Sequence, residues 1–126
     1  MPTYIALIYT PEIDWKRPEF SEGIQEYLDF EKAHEAVLRG GHALYPTATA
    51  TTIRVPEGKD DPIISDGPYA ETKEALTGFY MMECADLDEA IAVASKIPAV
   101  AYGTVEVRPL HASLEPDESP DESPEP

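Results

Sequence analysis

Residues 78–98 read "GFYMMECADLDEAIAVASKIP", and this stretch decides the fold. "GFYMMEC" is almost continuously apolar, as expected of a strand buried on both faces. Asp86 stands where a helix N-cap belongs, Glu89 three residues on completes a capping box, and Asp88 adds negative charge near the positive end of the helix dipole. Leu87, Ala90, Ile91, Ala94 and Ile97 then mark one helical face, and Pro98 supplies the stop. Beyond it "TVEVRPL" (104–110) alternates as a strand, with Val105 and Val107 opposite Glu106 and Arg108.

A second strand–helix–strand unit lies toward the N-terminus. "YIALIY" (4–9) is another strand apolar on both faces, and "TPEIDWKRPEF" (10–20), with two prolines, reads as a loop. A helix is expected from about Pro18 to Arg39, stopped by Gly40 and Gly41, which tolerate the left-handed backbone past a helix end. "HALY" (42–45) gives a second strand and "TATATTIRV" (47–55) a third, before the turn-rich "PEGKDDP" (56–62). The order predicts a ferredoxin-like α+β domain, of βαββαβ type with an extra short strand and an antiparallel sheet. Two helices cover one face of such a sheet. Strands apolar on both faces therefore predict a homodimer with its sheets packed face to face.

Length and composition set the outer bounds. A chain of 126 residues fits one domain, expected over 1–111. The remaining 112–126 is expected to be a disordered, solubilising tail. Its last twelve residues, "EPDESPDESPEP" (115–126), hold six acids and four prolines and offer nothing apolar to offset the ordering entropy. The net charge is −16, and without those six acids nineteen acids still face nine bases. This balance disfavours nucleic acid and anionic membrane, which are bound through clustered Lys and Arg. No apolar run approaches bilayer length and Cys84 is the only cysteine, so a soluble cytoplasmic protein without disulfides is expected, with Cys84 as a small buried hydrophobe.

Three groups of residues are candidates for chemistry. On the first helix Phe20, Ile24, Tyr27, Leu28 and Leu38 form an apolar stripe, and Glu31 and His34, three apart, fall inside it. His34 could be a satisfied core or interface histidine, or a general acid/base tuned by Glu31. Glu-x-x-His is also a metal spacing in helical bundles, but one copy makes at most half a site, so no metal or other cofactor is expected. His42, after the glycines, could be an exposed strand-start histidine or a ligand contact. Last, "DGPYAETKE" (66–74) stacks three turn formers, and its stiff backbone could either simply turn the chain or present Asp66 to a cleft. Tyr4, Tyr9 and Tyr80 could wall that cleft or simply belong to the core.

"DGPYAETKEALTGFY", followed by "DLDEAIAVASKIP" and "YGTVEVRPL", resembles the YCII-related proteins of the DGPF type, with Tyr69 where the name-giving motif has Phe. The resemblance takes in "YIALIY" and "PTATATTIRV" as well. It implies a ferredoxin-like subunit of a dimeric α/β barrel, and a cleft in which the wider group uses a His and an Asp. Asp66 matches the motif aspartate, Gly67, Pro68, Glu71, Thr72, Lys73 and Glu74 match the rest, and His34 is on the helix that carries the wider group's histidine. His42 departs from the family, standing where an acid is usual. Relatives include a dehydrochlorinase, and some members are encoded near sigma factors. The resulting expectation is a small-organic-molecule-binding homodimer, with cofactor-free elimination or isomerisation by Asp66, His34 and Glu31 and ligand contacts from Gly67, Pro68, Glu71, Lys73, His42 and Tyr9. The competing expectation is a non-catalytic ligand-sensing or protein-interaction module linked to transcription.

Overall fold

The computed structural model describes residues 1–112, so the expected tail at 112–126 lies almost wholly outside the described residues. Four strands form an antiparallel sheet: β1 (Thr3–Thr10), β2 (Leu38–Ala43), β5 (Ala75–Glu83) and β6 (Thr104–Pro109), in the order β2-β5-β1-β6. Helices α1 (Ser21–Ala33) and α2 (Leu87–Ala94) follow β1 and β5. Each strand–helix–strand unit thus places another strand between its two members, and the result is the expected ferredoxin-like α+β architecture. Among the described residues no helix is long and apolar enough to cross a membrane.

Strand alternation sorts the sheet into two faces. Tyr4, Ala6, Ile8 and Thr10 of β1 are buried, and the register sets Tyr4 opposite Met82 and Ala6 opposite Tyr80. These side chains meet Phe30 of α1 and Ala90, Val93 and Ala94 of α2 in one core, with Ile97 and Ala99 just past the helix. Cys84, fully buried, belongs to the same cluster, and burial pushes its thiol pKa up. The other face carries Ile5 opposite Met81 and Leu7 opposite Phe79, and these four are only half-buried. Both helices pack on the first face, so an apolar sheet surface is left uncovered, as the patterning requires.

The second helix keeps its expected start. The Asp86 carboxylate accepts the Glu89 amide N–H at 2.9 Å, and the Glu89 carboxylate accepts that of Ala85 at 2.6 Å. It ends at Ala94, short of the expected Ile97, and Pro98 opens a separate short turn of 3₁₀ helix, Pro98–Ala101.

The first helix is shorter than its pattern suggested. It stops at Ala33, because His34 takes a non-helical backbone and the chain turns through 34–37 into β2. Gly40 and Gly41, read as a helix stop, lie inside β2, as does Leu38. The reason is steric: a Cβ on Gly41 would come within 2.5 Å of the Phe79 carbonyl oxygen, so only glycine lets β2 approach β5 this closely. The strand expected at "HALY" accordingly begins four residues earlier and ends at Ala43.

The region after β2 departs most from expectation. Thr47–Thr49 form a 3₁₀ turn, and β3 is reduced to Thr51–Arg54. It pairs with β4 (Ile63–Asp66), a strand that the turn-rich sequence around it concealed. This hairpin is a two-stranded sheet of its own, with Ile53, Ile63 and Ile64 each more than half exposed.

Candidate functional site

Three small residues shape the floor of a chamber between α1 and the sheet. Gly41, Ala43 and Gly78 sit side by side in β2 and β5, with Ala43 opposite Gly78 and Gly41 opposite Tyr80. The missing side chains leave α1 unsupported at its N-terminal end, and Phe30, near its C-terminus, is its one buried residue. The space, open on one side, is about 310 Å³, within the range of small-ligand pockets. Ile24, Tyr27 and Leu28 of α1 form the roof, and Ile13 and Trp15 of the preceding loop close one end.

The ends are fixed by polar contacts. Glu12 accepts hydrogen bonds from the Thr47 hydroxyl and, at 3.2 Å, from its amide, tying the loop before α1 to the segment after β2. Trp15 lies edge-on to both Phe20 and Tyr27, with ring centroids 5.8 and 5.6 Å apart. A register shift between Ile8 and Tyr9 leaves Thr77 unpaired in the β1–β5 ladder, aiming it into the chamber lining. Its hydroxyl is 2.9 Å from that of the buried Thr10.

One carboxylate lines this mostly apolar space. Glu31 Oε2 accepts the hydroxyl proton of Tyr80 at 2.6 Å, and Tyr80 is 8% exposed. Burial, then the hydrogen bond and the charge of Glu31, push the Tyr80 pKa up, so its phenol stays a donor through the physiological range. Tyr27 behaves alike: burial and its 2.8 Å hydrogen bond to the Tyr102 hydroxyl raise its pKa. Glu31 is thereby held in place through one oxygen, and among the described residues nothing donates a hydrogen bond to its other oxygen. A second, outer groove lined by Leu28, Glu31, Lys32, Glu35, Leu38 and Tyr80 shares the Glu31–Tyr80 pair with the inner chamber.

The expected site residues divide between places. Glu31 lines the inner chamber; His42 borders it from β2, but it pairs with Phe79 and its ring lies 6.2 Å from the Phe79 ring, on the uncovered face of the sheet. His34 caps α1: its ring Nδ1 lies 2.9 Å from the Phe30 carbonyl oxygen and the ring packs on Phe30 at 4.6 Å. Tyr9 is on the uncovered sheet side, opposite Thr104 and Leu76. Asp66 ends β4 and is exposed, while Gly67 takes the positive φ, +100°, that the motif suggested. The turn is held by Gly67 N–H donating to Ala50 O and by the Thr52 hydroxyl donating to Gly67 O, both at 2.7 Å. Pro68 is half-buried, and Glu71 and Lys73 are exposed on the way to β5. In the single chain neither Asp66 nor His34 is among the residues of the chamber lining. Among the described residues no three of His, Cys, Asp and Glu gather closely enough to hold a metal ion.

Sequence reading passed over Trp15, Thr77 and Gly78. Gly78 carried a signal, since an isolated glycine in an apolar strand marks a bulge or a close backbone approach. Thr77 and Trp15 carried none, because a bulge and a loop conformation place them.

A split strand–helix–strand sheet with a small apolar chamber under one helix defines a ferredoxin-like α+β domain with room for one small molecule. The chain belongs to the YCII-related family, whose model matches residues 3–112. It is also similar, at 47% identity over 124 residues, to an uncharacterised protein of Rhizobium meliloti (strain 1021), covering 93% of this chain and 98% of the relative.

Proposed function

We propose that the chain works as a homodimer that binds a small, mostly apolar organic molecule in the chamber beneath α1, with Glu31 as the group that accepts the ligand's hydrogen bond or proton. The observation that carries this reading is the single carboxylate of a mostly apolar lining, pinned by a buried tyrosine that stays protonated. Turnover, where it occurs, is cofactor-free proton transfer at Glu31. Asp66 and His34 enter only through assembly: Asp66 is exposed on the β3–β4 hairpin, the element whose apolar residues have least cover within the chain. Dimer formation is supported by the uncovered row of Ile5, Leu7, Phe79 and Met81 and by that hairpin, since an isolated two-stranded sheet is marginal in water.

Ligand-detected NMR against a library of small aromatic and aliphatic compounds tests the reading, with Ala43→Leu as the control that fills the chamber floor. Hits that bind the unaltered protein and lose affinity in Ala43→Leu support it. Hits indifferent to that substitution refute it.

A further inference from the structure

The chamber and the outer groove meet at one pair of side chains. Glu31 and Tyr80 line both, together with Leu28 and Gly41, so the two spaces are compartments of a single site. The compartments differ in chemistry. Aromatic and aliphatic groups from Trp15, Tyr27 and Leu28 wall the inner one. The outer one presents Glu31, Lys32 and Glu35. Glu31 on α1 and Glu35 in the turn after it both border this compartment, and two carboxylates against one ammonium leave it with a negative balance.

Resting on the ligand-binding reading above, we propose that the site selects apolar amines: an aromatic or aliphatic body seated in the inner chamber, and a protonated amino group at Glu31 where the two compartments join. Three features support this class over its rivals. Tyr80 occupies one oxygen of Glu31 and leaves the other as an acceptor, which an ammonium satisfies and a carboxylate or phosphate opposes. The aromatic walls add attraction for a cation at their faces. A carboxylate-bearing ligand would bring its negative charge to Glu31 and Glu35 with Lys32 alone to offset them, in a chain whose net charge is −16. The inner volume of about 310 Å³ limits the body to roughly one fused or single ring, or a short alkyl chain.

Four probes sharing one body test the class: indole, tryptamine, tryptophan and indole-3-propionate, titrated by calorimetry into the full chain. The expected result is that tryptamine binds about tenfold tighter than indole, the size of one charge-assisted hydrogen bond, with tryptophan weaker than tryptamine and indole-3-propionate weakest. Glu31→Gln, isosteric and able to keep the Tyr80 contact, should erase the preference for tryptamine over indole. Thermal melting of each variant confirms that the fold is kept. Indole binding with no gain for tryptamine, an unchanged preference in Glu31→Gln, or tryptophan or indole-3-propionate as the tightest ligand overturns the amine class while leaving the chamber intact. Failure of all four probes to bind, or equal binding to Ala43→Leu, overturns the chamber reading and the amine class with it.

Discussion

The two helices lie on the same face of the same sheet and are packed in opposite ways. The eight residues of α2 bury Ala90, Val93 and Ala94 directly against the strands, behind a reciprocal cap at Asp86 and Glu89. The thirteen residues of α1 bury only Phe30, start without a side-chain cap and stand over a floor of Gly41, Ala43 and Gly78. A helix that fills its footprint on the sheet contributes stability. One that leaves a chamber gives up packing energy, and that loss persists in a folded protein where the space has another use.

The sharpest way to break the contrast is to damage the tight side. Ile97, fully buried beyond α2, should cost about 2–5 kcal/mol when replaced by Ala, because the well-packed surroundings cannot collapse into the void. Urea denaturation measures it, and a cost below that of Leu28→Ala in α1 would erase the distinction. Removing the cap with Asp86→Ala should cost about 1 kcal/mol. On the loose side, Leu28→Ala should cost under about 0.5 kcal/mol, since Leu28 is 50% exposed, yet it should weaken ligand binding because that side chain roofs the chamber and borders the outer groove.

Alkaline pH sharpens the comparison without mutation. Tyr27 and Tyr80 hold their protons in the folded chain well above the ordinary value of 10.0. Their contribution is therefore complete below pH 10.0 and is lost as the pH rises above it, because the unfolded chain releases protons that the folded one retains. Melting temperature should fall above that pH, and Tyr80→Phe should make the fall shallower. An equal slope in wild type and Tyr80→Phe would mean that the buried hydrogen bond to Glu31 is not maintained in solution.

The tight half of the molecule was legible in the sequence and the loose half only partly. Asp86, Glu89 and the strand before them act through contacts near in the chain, and periodicity captures those. The length of α1 was overestimated because apolar spacing continues through Leu38, although His34 ends the helix and Gly41 serves a close strand contact. Strand β4 was hidden among turn formers because its pairing with β3 depends on partners nine to fifteen residues away. Glu31 was legible as a polar residue inside an apolar stripe; its partner Tyr80, 49 residues on, became visible only once the sheet was assembled.

The measurement that tests the central claim most directly is a titration of the isotopically labelled chain with tryptamine, followed by backbone amide NMR. The account predicts shifts confined to Gly41, Ala43, Thr77, Gly78, Tyr80 and the Tyr27–Glu31 stretch of α1, with α2 silent. Shifts centred on α2 or on the β3–β4 hairpin, or no shifts at saturating tryptamine, would contradict it.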